Sequence, residues 1–168
     1  MRKIAIAGAI AALGFSNAPA LAVTPATQAT ATARIYKPLT ITFVQNLDFG
    51  TIVLSGAGAW SGQVVSMNQT GTVTCGSGNL TCTGTPQPAK YHLVGTSNAI
   101  VTISCPSFNL TNGANTLAFT PNAPATVNLG ATGSTTGVDF GIGGSISLAS
   151  TTVDGVYSGT FAVTADYQ

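Results

Sequence analysis

Apolar residues fall on alternate positions along most of the chain. Ala29, Ala31, Ala33 and Ile35 share one parity, with Thr30, Thr32 and Arg34 between them. That is the two-residue period of a strand, with small side chains on its apolar face. Pro38 interrupts the pattern, and Leu39, Ile41 and Phe43 resume it on the same parity. Leu47 and Phe49 follow, closing in Asp48-Phe49-Gly50, and Thr51–Leu54 continues extended. Ser55–Gly62 reads as a Gly-rich loop carrying Trp60, the only Trp. Gln63–Met67 and Gly71–Cys75 are predicted strands around a turn at Asn68, and Thr83–Pro88 is a breaker stretch. Tyr91 and Leu93, then Val101, Ile103 and Cys105, alternate around Gly95–Asn98, which predicts a hairpin. Phe108–Leu110, Leu117–Phe119 and Val127–Leu129 are further short strands, the first two joined at the tight-turn signal Asn112-Gly113. Val138, Phe140, Ile142, Ile146 and Leu148 alternate again. The last run, Tyr157, Phe161, Val163, Ala165 and Tyr167, lies wholly on odd positions. A pattern kept this far toward the C-terminus places that strand inside a sheet.

Many short strands separated by turn signals predict an all-β fold, a sandwich or barrel. Composition agrees. The 168 residues include 26 Thr and 20 Gly but no Glu, a mix poor in helix formers. Only five Lys+Arg and four Asp carry charge, too few for the basic face of a nucleic-acid binder. The length suits one domain with its own core.

The first residues have a different layout. Arg2 and Lys3 precede an apolar stretch from Ile4 to Phe15, then small residues at Ala18, Ala20 and Ala22. This is the arrangement of a secretory signal peptide, too short to span a bilayer. Residues 1–22 are therefore expected to be removed after Ala22, with Ala20 the alternative. Residues 23–37 form an N-terminal extension, and residues 38–168 form one domain. No other stretch has the length and apolarity of a membrane span.

Export changes the reading of the three cysteines. In an oxidising compartment one disulfide is expected and one Cys is left over. Cys75–Cys82 closes a turn-rich loop and is favoured, with Cys82–Cys105 open as the alternative. Cys105 is expected to be buried in its strand and unreactive. A zinc site from these cysteines and His92 lacks any C-x-x-C pair.

Three segments carry a resemblance: Leu47-Asp48-Phe49-Gly50-Thr51, Val138 to Gly144, and Gly155 to Gln168. Together they resemble domain-of-unknown-function family 4402, exported bacterial proteins similar to spore-coat-U-like and archaic chaperone–usher pilin subunits. The positions that carry the likeness are Leu47, Phe49, Gly50, Phe140, Gly144, Tyr157, Phe161 and Tyr167. The resemblance implies an Ig-like, pilin-like antiparallel β-sandwich with a donor-strand-like extension. In it, Ala29, Ala31, Ala33 and Ile35 would fill a neighbouring subunit. It also implies a periplasmic chaperone and an outer-membrane usher as partners, and a route through the periplasm to a surface fibre. Related pilins carry a Cys just after the donor segment. Here that stretch reads Lys37-Pro38-Leu39, so no disulfide pins the first strand.

Enzymatic signals are missing. His92 is the only His, there is no G-x-S-x-G elbow, and Asp48, Asp139, Asp154 and Asp166 are scattered. His92 reads as an outward strand residue, and Asp48 and Asp139, each before Phe-Gly, as turn or strand-end residues. Gly141–Gly144 has no following Lys-Ser/Thr for a phosphate loop, and the Asp repeats of a calcium-binding tract are missing. No cofactor is expected. The sequons at Asn68, Asn79 and Asn109 read as a consequence of Thr richness. The expected function is a non-enzymatic fibre subunit built by strand addition between like subunits. The alternative is a secreted binding module or adhesin for carbohydrate. There Trp60 would stack on a sugar, unless its ring folds onto the core.

Overall fold

The computed structural model describes residues 27–168, positions 57 and 77 excepted. The expected signal peptide, residues 1–22, and the start of the extension, residues 23–26, lie outside the described residues. The chain divides into two units, Met1–Arg34 and Ile35–Gln168. In the first, residues 27–34 form no strand and every side chain is exposed.

The second unit is entirely β. Its strands are β1 (Thr40–Gln45), β2 (Thr51–Leu54), β3 (Gln63–Met67), β4 (Val73–Thr74), β5 (Leu80–Thr83) and β6 (Ala89–Val94). They continue with β7 (Ile100–Ser104), β8 (Phe108–Asn112), β9 (Asn115–Asn122), β10 (Thr126–Asn128), β11 (Val138–Leu148) and β12 (Thr164–Tyr167). Every ladder is antiparallel. A seven-stranded sheet runs β1-β6-β11-β3-β4, with β9 and then β8 joined to β11. A three-stranded sheet runs β10-β7-β12, and β2 pairs β5 alone. One sheet curls into a half-barrel.

Strand β11 organises the molecule. Its first half, Val138–Ile142, pairs with β6. Its second half pairs with β3 and with β9, so Gly144–Ile146 are flanked on both edges. Two apolar clusters sit on it in turn. Phe140 and Ile142 join Leu93, Val101, Ile103, Val127 and Leu129 in one. Ile146 and Leu148 join Phe49, Val65, Met67, Leu117 and Phe119 in the other. The glycines between make this possible. A Cβ on Gly144 would strike the Phe119 ring, and a Cβ on Gly143 would strike the Met67 and Asn68 carbonyl oxygens. Gly141 likewise backs onto the Gln69 carbonyl. The Gly141–Gly144 run is thus a packing device.

Several sequence expectations are corrected. Residues 29–35 form no strand and pair with none among the described residues, as a segment meant for another subunit would. Gly95–Asn98 is not a hairpin turn. It carries the chain from β6 in the large sheet to β7 in the three-stranded one. Both strands alternate because both turn one face to the same cluster, Leu93 from one side and Val101 and Ile103 from the other. Gly71–Cys75 shortens to the two residues of β4, and β5 falls just before the breaker stretch. Cys105 lies one residue past β7 and is only half-buried. The β8–β9 hairpin forms as predicted, with Asn112 opposite Asn115 and Gly113 at a φ of 59°.

Candidate functional site

The last apolar run enters a ladder only at its end. Residues 164–167 pair with β7, and no strand among the described residues pairs with residues 159–163. β12 is the outer strand of its sheet, and β1 is the outer strand of the large sheet, paired only with β6. Each of these two strands therefore leaves one edge open, as do β4, β8 and β10 at the other ends of the two sheets.

Side-chain burial follows the same division. Phe161, Val163, Ala165 and Tyr167 all turn toward the Leu93 cluster yet stay only half-buried, as do Leu39 and Ile41 at the start of β1. A complete layer over such a cluster would bury them. A groove of about 190 Å³ is lined on one side by Phe43, Leu47, Ala89 and Tyr91 and on the other by residues 159–161. Its β1 wall is irregular. The register with β6 shifts between Phe43 and Gln45, a bulge that leaves Phe43 and Val44 each 55% exposed. Tyr91 braces this wall, edge-on to Phe43 and stacked on Phe140 at 5.7 Å. Burial, and secondarily the nearby Cys105, raise the Tyr91 hydroxyl above its ordinary pKa. Burial also raises the Cys105 thiol, which keeps it in the poorly nucleophilic protonated form at neutral pH.

The residues that carry the family likeness divide between this groove and the core. Leu47 packs against both clusters and lines the groove with Phe161. Phe49, Phe108 and Phe161 all contact the Phe119 ring. Phe140 is buried in the Leu93 cluster. Gly50 has a φ of 75°, and its N–H donates to Asp48 Oδ1 at 2.8 Å, the turn expected of Asp48. Tyr157 packs on the Phe119 cluster and donates its hydroxyl to the Val153 carbonyl. Tyr167 donates to the Lys37 carbonyl at 2.8 Å and accepts from the Thr96 N–H at 2.7 Å.

Ala29, Ala31 and Ala33 are exposed, and Ile35 is 90% exposed. Trp60 is half-buried against the Phe119 cluster, with its indole N–H directed at the Ser55 carbonyl and its backbone tied to Ser150. His92 faces outward on β6, its Nδ1 2.5 Å from Asp139 Oδ1 on the neighbouring strand β11. This is a cross-strand pair of a common kind. Cys75 and Cys82 form a disulfide, seven positions apart in sequence, which settles the pairing in favour of the first alternative. So short a loop stabilises by about 2–3 kcal/mol. A second groove, about 330 Å³, lies beside this disulfide and Phe49. Among the described residues no group of three or more His, Cys, Asp or Glu is placed to hold a metal ion.

Sequence reasoning missed the groove walls Ala89 and Tyr91, and it missed Tyr36 and Thr96 beside Tyr167. Their only signal was apolar or turn-like, and which edge stays unpaired is a property of the assembled sheets.

These features define an all-β protein of antiparallel sheets, with open edges on β1 and β12 and a groove between Phe43 and Phe161. The chain belongs to the family of a domain of unknown function, DUF4402, whose pattern matches residues 39–167. No curated protein and no solved structure matches it.

Proposed function

We propose that the chain is a non-enzymatic structural subunit of an exported bacterial fibre, assembled by β-strand addition. The domain is an Ig-like, pilin-like sandwich that lacks one strand, and the extension of another subunit supplies it. The observation that carries this reading is the row of half-buried apolar side chains on residues 161–167, which packs on the Leu93 cluster, offers an unpaired edge on β12 and borders, at Phe161, a groove walled by Phe43, Leu47 and Tyr91. An exposed edge of this kind is an association site. The exposed row Ala29, Ala31, Ala33 and Ile35 has the complementary character: small apolar residues for a shallow groove, on a backbone free to pair. Head-to-tail repetition of that contact gives a filament rather than a closed ring. A periplasmic chaperone and an outer-membrane usher would shield the groove before assembly and deliver the subunit to the surface. The binding-module alternative would rest on Trp60, and the packing of that ring on the core gives it no support.

The test compares the mature chain with one lacking residues 23–36. The full chain should form linear polymers visible by electron microscopy, and the shortened one should stay monomeric on native mass analysis. Polymers from the shortened chain, or a full-length chain that stays monomeric at high concentration with its chaperone present, would refute the reading.

A further inference from the structure

The root of the extension is tied down at one place. The Tyr36 ring stacks on Tyr167, with centroids 4.6 Å apart and planes 16° from parallel. The Tyr167 hydroxyl donates to the Lys37 carbonyl and accepts from the Thr96 N–H, while the Lys37 N–H donates to Thr96 Oγ1 at 2.6 Å. Both backbone polar groups of Lys37 are therefore engaged. Gly95 makes room for this arrangement, since a Cβ there would collide with the Tyr167 hydroxyl and crowd Leu39 and Leu129.

We propose that Tyr167, Tyr36, Lys37 and Thr96 form a clamp that prevents the extension from completing its own domain and so reserves it for a second copy of the chain. The proposal rests on the strand-addition reading. Tyr36, the last residue of the segment 27–36, is held beside Tyr167, the last residue of β12. Self-insertion would then run parallel to the C-terminal strand, whereas every ladder in the molecule is antiparallel. Reversing the direction needs a turn within Thr27–Tyr36, which contains no Gly, Pro, Asn or Asp. Folding back instead along β1 needs a turn through Lys37, whose N–H and carbonyl are already held. An extension from a second copy carries no such tether at this groove and is free to enter antiparallel.

The experiment uses a fluorescent peptide of residues 27–36 as a competitor. It is titrated into the mature chain, into the Tyr167→Phe and Thr96→Val variants, and into each of these three chains lacking residues 23–36. The clamp predicts that the mature chain binds the peptide. Tyr167→Phe, which keeps the ring and loses both hydroxyl bonds, should bind it about tenfold more weakly because its own extension now occupies the groove most of the time. Removing residues 23–36 from that variant should restore binding. Thr96→Val should behave likewise and guards against a folding defect in the first variant. Full-strength binding by both intact variants would overturn the clamp while leaving strand addition standing. Weak binding that persists in the shortened variants would also overturn it, by making Tyr167 part of the groove itself. If no chain binds the peptide, shortened or not, strand addition itself fails and the clamp with it.

Discussion

Replacing Phe119 by Ala should destabilise the protein by about 3–5 kcal/mol, a large share of the stability of a domain this size. The ring is 1% exposed and is the largest of the fully buried side chains. It contacts Phe108 at 4.9 Å, and Phe49 and Phe161 each at 6.1 Å, and it covers the space left by Gly144. Four segments meet there, three of them distant in sequence: the hairpin partner β8, the turn after β1, β11 and the C-terminal run. Truncation removes the transfer energy of the ring and leaves a cavity that none of these segments can close alone. Phe119→Leu keeps more volume and should cost less. Urea unfolding of both variants, read as a midpoint shift at constant slope, measures this. A loss under about 1 kcal/mol for the Ala variant would mean that the aromatic cluster is not the centre of this half of the core.

Gly143→Ala should also be costly, at or above the upper end of the roughly 1–3 kcal/mol typical of overpacking. Its new Cβ would lie against two backbone carbonyl oxygens and the Asn68 carbonyl carbon, where the chain leaves β3 and crosses β11. Backbone cannot turn aside as a side chain does, so the cost is displacement of the β3–β4 turn. The Asn68 side chain anchors that turn through the N–H groups of Thr70 and Thr72. Gly56→Ala is the control: no atom lies within 4 Å of its new methyl, and the change should be neutral within about 0.5 kcal/mol. Equal stability of the two variants in the same urea series would show that the close approach at Gly143 is not real.

Much of the fold was legible because alternation records one buried face. β3, the β8–β9 hairpin and β11 fall where the pattern put them. Partnership was not legible, because alternation does not say which strand lies alongside. The residues around Gly95–Asn98 look like a hairpin for the same reason that they cross between sheets: each strand buries one face in a shared core. The Ala29–Ile35 row shows the limit from the other side, a strand pattern that finds no ladder among the described residues. Of the candidate site, the odd-numbered residues 161–167 were visible in sequence, but their incomplete cover was not. The Tyr167 contacts were also hidden, since they join residues 130 and 71 positions apart.

The central claim is that the open edge of the C-terminal run, residues 159–167, takes a strand from another copy. Amide hydrogen exchange on the chain lacking residues 23–36 tests it most directly, with and without an excess of the peptide of residues 27–36. Without peptide, the amides of residues 159–163 have no ladder partner among the described residues and should exchange quickly. With peptide they should become strongly protected, together with alternate amides on the open edge of β1, while β3 and β9 stay unchanged. Unaltered exchange in residues 159–163 at saturating peptide, or protection confined to another surface, would contradict the account.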